Sequence, residues 1–175
     1  EAVIISGGGL TKEAALAFVM LEKLGQEKIS LFIDPVDKWA GLGFTVIKDT
    51  SAAGVKKVQQ GSSKLPAAYP VNLRNYVIIT DTKSVQGIYP RIFIASGKSL
   101  PAKTHNGKIV HVPFTYLLNT DGTPKSAKDI WNILDKAGIP RYAELFCISD
   151  DVGEAAVNYF ILRLMGYPDV KLLKN

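Results

Sequence analysis

Apolar positions in this chain fall into two patterns, short continuous runs and longer stretches with helical spacing, and the two alternate. Ile4–Ile5 and Leu145–Phe146 are short apolar runs bounded by polar or glycine residues, the pattern of buried strands. After each run, apolar side chains recur at the spacing of one helix face, at Ala14, Ala15, Phe18, Val19, Leu21 and Leu24, and at Ala155, Ala156, Tyr159, Phe160 and Leu162. Gly25 and Gly166 stand where a left-handed C-cap closes such helices. Residues 29–33 and Val170–Leu173 then return as strands. Strand, helix and strand at this length imply a right-handed crossover and parallel pairing.

The two units are copies of each other. Residues 3–25 match residues 144–166 without a gap at an offset of 141, which superposes Glu13 on Glu154, Ala14 on Ala155, Ala15 on Ala156, Leu21 on Leu162 and Gly25 on Gly166, and further on Leu31 on Leu172. A period of that size is a domain length, so it points to domain duplication and not to a solenoid. Between the copies, residues 48–70 are rich in Ser, Gly, Ala, Lys and Pro and read as a linker. Residues 76–79, 91–94 and 109–112 are expected as strands and 81–87 as a short helix. Asp121–Gly122 marks a turn, and Ser126 with Asp129 forms a capping box for a helix running to Ala137, ended by Gly138 and Pro140.

With those residues in place, the chain resembles the rhodanese sulfurtransferases. The carrying segment is 145–172, in which a strand leads to Cys147, a loop wraps it, and a helix enters a Gly166-Tyr167-x-x-Val170 strand. Residues 103–114 and 121–139 agree with the stretch upstream of that loop, and residues 29–44 look like the closing half of the cysteine-free domain of tandem rhodaneses. The resemblance implies an α/β fold with a parallel sheet flanked by helices, in two tandem units. The expected division is 1–47 as the closing half of a first rhodanese-like domain, 48–70 as linker and 71–175 as a second domain. On that reading the start of the first unit would lie upstream of Glu1. Its open sheet edge should therefore be covered by a missing N-terminal segment or another chain.

The same resemblance makes Cys147 the catalytic nucleophile and Ile148, Ser149, Asp150, Asp151, Val152 and Gly153 the active loop. A sulfurtransferase needs a thiolate that accepts a sulfane sulfur as a persulfide and hands it on, and a helix N-terminus stabilises such an anion. Asp150, Asp151 and Glu154 oppose that chemistry, because carboxylates disfavour both the thiolate and an anionic donor. When the match is anchored on the helix, Ser149 takes the nucleophile position. Two functions follow: a rhodanese-like module whose thiosulfate chemistry is weakened or lost, or an active sulfurtransferase working through a Cys147 persulfide. The partner would be a small sulfur-containing donor or a protein; no cofactor is implied.

Composition narrows the alternatives. Hydrophobic residues make up 47% and charged residues 21%, enough for packed cores, and no apolar run is long enough to span a membrane. The net charge of +5 comes from scattered basic residues, which does not point to nucleic acid. One cysteine with two histidines gives no zinc set. Gly7, Gly8 and Gly9 before a helix, with Asp34 after the next strand, approach a dinucleotide fingerprint, although Lys12 occupies its third glycine position. A cysteine phosphatase is disfavoured further, because no arginine follows Cys147 before Arg163, too far along the helix to hold a phosphate in the loop. His105 and His111 receive no role, and Trp39 and Trp131 are expected as core anchors on helices.

Overall fold

The computed structural model describes residues 2–45, 71–82, 89–101 and 105–174. The expected linker at 48–70 and most of the expected helix at 81–87 lie outside them. In chain order the elements are β1 (Ala2–Ile5), α1 (Lys12–Lys23), β2 (Ile29–Phe32), α2 (Val36–Gly41), β3 (Ile78–Ile79), β4 (Arg91–Ala95), β5 (Lys108–His111), a 3₁₀ turn (Phe114–Leu117), α3 (Ala127–Lys136), β6 (Glu144–Ile148), α4 (Val152–Leu164) and β7 (Val170–Leu173).

These strands form two sheets. β1 and β2 pair parallel, Ala2 opposite Ile29 through Ile5 opposite Phe32. The other five strands lie in the order β3-β7-β6-β4-β5, again all parallel. β6 is central and wholly buried, so its apolar run is continuous, as covered parallel strands require. Its side chains still alternate by face. Leu145 and Cys147 join Ile92, Ile94 and the α4 residues in the larger core, whereas Phe146 and Ile148 join Phe93, Ala95 and Leu173 on the opposite face. Glu144 is the buried polar exception. It accepts from Arg91 Nε and Lys171 Nζ, each at 3.0 Å, so its charge is paired.

Local sequence explains the helix ends. Thr11 and Ser126 cap α1 and α3 by accepting the N–H groups of Ala14 and Asp129, each at 3.2 Å. Gly25, Gly138 and Gly166 end α1, α3 and α4 at φ of 92°, 68° and 81°, a region that favours glycine.

The copied helices α1 and α4 pack against each other. Glu22 Oε1 accepts from Arg163 Nη2 at 3.1 Å, and these two residues are 141 apart, so each meets its own counterpart. Near the other end Lys12 lies against its counterpart Gly153, where a Cβ would stand 2.9 Å from the Lys12 Cβ. Counterparts meeting at both ends require α1 and α4 to run parallel, about a pseudo-twofold axis along the helices. Both helix N-termini therefore lie side by side.

Two expectations need correction. Trp39 and Trp131 sit on helices but are 37% and 43% exposed. In α3 the buried positions are Ile130 and Leu134, and a helix turns Trp131 about 100° from the first of these. Trp39 lies on a short surface helix and packs on Phe32 and Phe44 instead of entering the core. The strand expected at 76–79 shortens to Ile78–Ile79, since Tyr76 and Val77 form part of a turn.

Candidate functional site

In the five-stranded sheet the chain leaves β4 toward β5 on one side and leaves β6 toward β7 on the other. Such a switch in strand order opens a crevice beyond the carboxyl ends of the two strands, where open α/β sheets place their ligands. Ser96 and Gly97 follow β4 there, and Ser149, Asp150 and Asp151 follow β6. The expected active loop thus lies at this edge, with Val152 and Gly153 already in the first turn of α4.

Cys147 lies one residue inside the end of β6. Its Cα is in register with Ile94 of β4 and Leu172 of β7, and its side chain is fully buried among apolar neighbours. Burial alone pushes its thiol pKa far above the ordinary value. The acidic residues expected to oppose the thiolate are not the cause. The carboxylate of Asp151 caps α4, accepting from Gly153 N at 2.8 Å, and pairs with Lys12 Nζ at 2.5 Å. The Lys12 bond first, and the Gly153 N–H second, hold the Asp151 carboxyl below its usual pKa, and the same pair raises that of Lys12.

Ser149, just past the end of β6, is buried. Its Oγ donates to Glu154 Oε2 at 2.7 Å and accepts from Asp151 N at 3.3 Å. Gly97 closes over this pair: a Cβ there would lie 2.9 Å from Glu154 Oε2 and 3.0 Å from Ser149 Oγ. The Gly97 carbonyl in turn meets His111 Nε2 at 2.9 Å. The helix N-terminus is therefore capped by the protein's own carboxylate, with Gly97, Ser149 and Glu154 close together beside it. The Glu154 carboxylate accepts the hydrogen bond of the Ser149 hydroxyl within the same strand-to-helix turn.

Sequence reasoning brought Ser149, Asp151 and Glu154 to one loop but missed Lys12, Gly97 and His111. Only one signal pointed to Lys12: the ungapped repeat sets it opposite Gly153, and a glycine facing a long side chain marks close approach. The glycine loop at Gly7–Gly9 is engaged elsewhere. Gly9 N donates to Ile33 O at 2.7 Å, Leu10 N to Gly122 O at 2.8 Å, and Asp34 pairs with Lys38 at 2.7 Å. Gly9 itself, at φ 72°, leaves no room for a Cβ, which would stand 2.8 Å from Asp121 O. Among the described residues no group of His, Cys, Asp and Glu could hold a metal ion, and no helix is long and apolar enough to cross a membrane.

With this geometry the molecule can be compared with known proteins. No family model matches the chain, and no curated protein matches it significantly. Among solved structures it is similar to EanB in complex with ergothioneine linked to a persulfide-bearing cysteine, with a TM-score of 0.67 and 16% identity over 93% of this chain and 41% of that one. A complex of EanB with hercynine matches at a TM-score of 0.62 and 15% identity, with the same coverage of both chains. SseA from Escherichia coli, described for the rhodanese fold and mechanism of 3-mercaptopyruvate sulfurtransferases, matches at 0.60 and 18% identity over 93% of this chain and 62% of its own. The chain thus spans about two fifths of EanB and less than two thirds of SseA. At these identities the likeness establishes the architecture: a rhodanese fold, with a five-stranded parallel sheet flanked by helices.

Proposed function

We propose that this chain is a rhodanese-fold module related to the sulfurtransferases, which retains the fold while its cysteine has left thiosulfate chemistry. The observation that carries this reading is the complete burial of Cys147 inside β6, with its thiol pKa raised by desolvation alone. A persulfide carrier must expose its sulfur to a donor and hold it as a thiolate, and reactive cysteines occupy electropositive, partly exposed sites. Cys147 meets neither condition. The active-loop residues Ile148 to Gly153 act here as a strand end, a helix cap and a bridge to Lys12. In domain terms, residues 1–47 are read as the closing half of a first rhodanese-like unit, 48–70 as a linker and 71–175 as the second unit. The matched packing of α1 on α4 supports that division.

One observation favours an active sulfurtransferase instead. Cys147 sits near the end of the strand bordering the switch-point crevice, just before α4, and EanB carries a persulfide on a cysteine. Alkylation of the folded protein against pH decides between the two. The first reading predicts slow modification that accelerates only above the ordinary thiol pKa of about 8.5 or on unfolding. A fast reaction with a midpoint well below that value would establish the second.

A further inference from the structure

Asn106 is followed by Gly107, and no other asparagine of the chain precedes a glycine: Asn72, Asn75, Asn119, Asn132 and Asn158 stand before Leu, Tyr, Thr, Ile and Tyr. The chain likewise holds a single Asp-Gly step, Asp121–Gly122. A main-chain nitrogen can attack the side-chain carbonyl of the preceding residue only where the approach is uncrowded, and glycine, without a Cβ, crowds it least. The two steps offer the same spacing of reacting atoms. Their surroundings separate them.

Asp121 is held in an unreactive state. Its Oδ1 accepts from Thr123 N at 2.9 Å and from Thr123 Oγ1 at 2.6 Å. The Thr123 hydroxyl first, and its N–H second, keep the carboxyl below its usual pKa, so it stays an anion that a nitrogen does not attack. Gly122 is fixed on both sides, its N–H donating to Asn119 O at 3.0 Å and its carbonyl accepting from Leu10 N at 2.8 Å. Asn106 and Gly107, by contrast, are exposed just before β5, and the Asn106 amide is uncharged. Gly107 N donates to His105 O at 3.1 Å, closing a turn of three residues. Because this turn is exposed, water can replace that bond and free the nitrogen without leaving a buried donor unsatisfied.

We propose that Asn106 is a site of spontaneous covalent modification, converting to isoaspartate through a cyclic imide. Gly107 N gives its proton to hydroxide and attacks Asn106 Cγ. The N–Cγ bond forms, the Cγ–Nδ2 bond breaks, and Nδ2 leaves as ammonia with a proton taken from water, which returns the hydroxide. A second water then opens the imide. Cleavage between Gly107 N and Cγ gives aspartate; cleavage between Gly107 N and the main-chain carbonyl carbon of residue 106 gives isoaspartate, with the chain running through Cγ. Nothing is oxidised or reduced, and either product replaces a neutral amide with a carboxylate. Isoaspartate also lengthens the main chain by a methylene at a tight place. A Cβ on Gly107 would stand 2.7 Å from Phe93 Cε2, and the Phe93 ring stacks on His105 at 4.8 Å and on Phe146 at 5.0 Å. The modification therefore loosens the entry to β5.

The test is ageing of the folded 175-residue chain in mildly alkaline buffer, followed by digestion and mass mapping with fragmentation that separates isoaspartate from aspartate. The proposal expects loss of ammonia and gain of water at residue 106, with isoaspartate the larger product, at least about tenfold faster than at any other asparagine or than isomerisation of Asp121. The reaction should quicken as pH rises, and amide exchange over residues 108–111 should be faster in the aged protein. Asn106→Gln, a change at an exposed side chain, should fold as the parent does and stay unmodified, since its longer side chain closes a larger ring. Unfolding in guanidinium chloride should speed Asp121 far more than Asn106. An Asn106 that reacts only after unfolding overturns the proposal, because the turn bond would then block the attack. Equal rates at Asn119 or Asp121 in the folded chain, aspartate formed without isoaspartate, or unchanged exchange over 108–111 also overturn it. None of these outcomes depends on whether Cys147 reacts.

Discussion

At the residue scale, Cys147 links sequence, burial and pH. Its thiol stays protonated in the folded chain because an anion among Leu145, Ile94 and Leu172 would be desolvated without a partner. The unfolded chain releases that proton near its ordinary pKa of about 8.5, whereas the folded chain does so only much higher. A raised folded pKa contributes stability that is fully present below the unfolded pKa and is lost as pH rises above it. Unfolding free energy should therefore fall by up to about 1.4 kcal/mol per pH unit between roughly 8.5 and 10. The Cys147→Ala variant should lose this slope, although the cavity it leaves makes it less stable at neutral pH. Urea unfolding of both proteins across that range provides the check; equal slopes would contradict a buried neutral thiol. Ser149 differs in kind, since its hydroxyl is satisfied on both sides by Glu154 and Asp151. Anchoring the match on the helix directed attention to it as a nucleophile, but its bonds describe a strand-to-helix turn.

At the scale of elements, the seam between α1 and α4 holds the two copies together through Glu22. Its carboxylate accepts from the buried Tyr159 hydroxyl at 2.9 Å and from Arg163 at 3.1 Å. Glu22→Ala leaves that hydroxyl buried without its acceptor and should cost about 1–3 kcal/mol, whereas Tyr159→Phe removes only the donor and should cost about 0.5–1.5 kcal/mol. In the double variant the loss should be smaller than the sum, as for groups in direct contact. A chemical-denaturation cycle gives the coupling, and strict additivity would show that the seam is not held by this pair. This scale was also the most legible in the sequence. The ungapped repeat gave both β-α-β units and the glycines that end α1 and α4, and the local capping pattern gave Ser126, Asp129 and Gly138 around α3, because those features depend on local periodicity. Outside the repeat, β4 and β5 of the larger sheet were readable for the same reason, while β3 shortened because its pairing depends on distant β7. Trp39 and Trp131 were misplaced because amphipathic spacing locates a helix but does not say which large side chain its neighbours have room for. The bridge from Lys12 to Asp151 joins residues 139 apart, beyond the reach of any local pattern.

At the scale of the whole molecule, one β-α-β unit is used twice under different surroundings. The second copy is embedded in a five-stranded sheet, with β4 beside β6 and β3 beside β7; among the described residues the first is a two-stranded sheet. That difference leaves Val3 and Ile5 of β1 60% and 69% exposed, although β1 repeats the pattern of the buried β6. Apolar strand faces left open in this way mark contact surfaces. Past the end of β6, by contrast, Ser149 is bonded to Glu154 beside Gly97, and Cys147 is buried. The proposed reading has the second copy carry out no sulfur transfer. Its central claim is tested most directly by the intact mass of the protein before and after incubation with excess thiosulfate or 3-mercaptopyruvate. An unchanged mass is predicted. A gain of one sulfur atom, lost in Cys147→Ser, would contradict the account and establish Cys147 as a persulfide carrier.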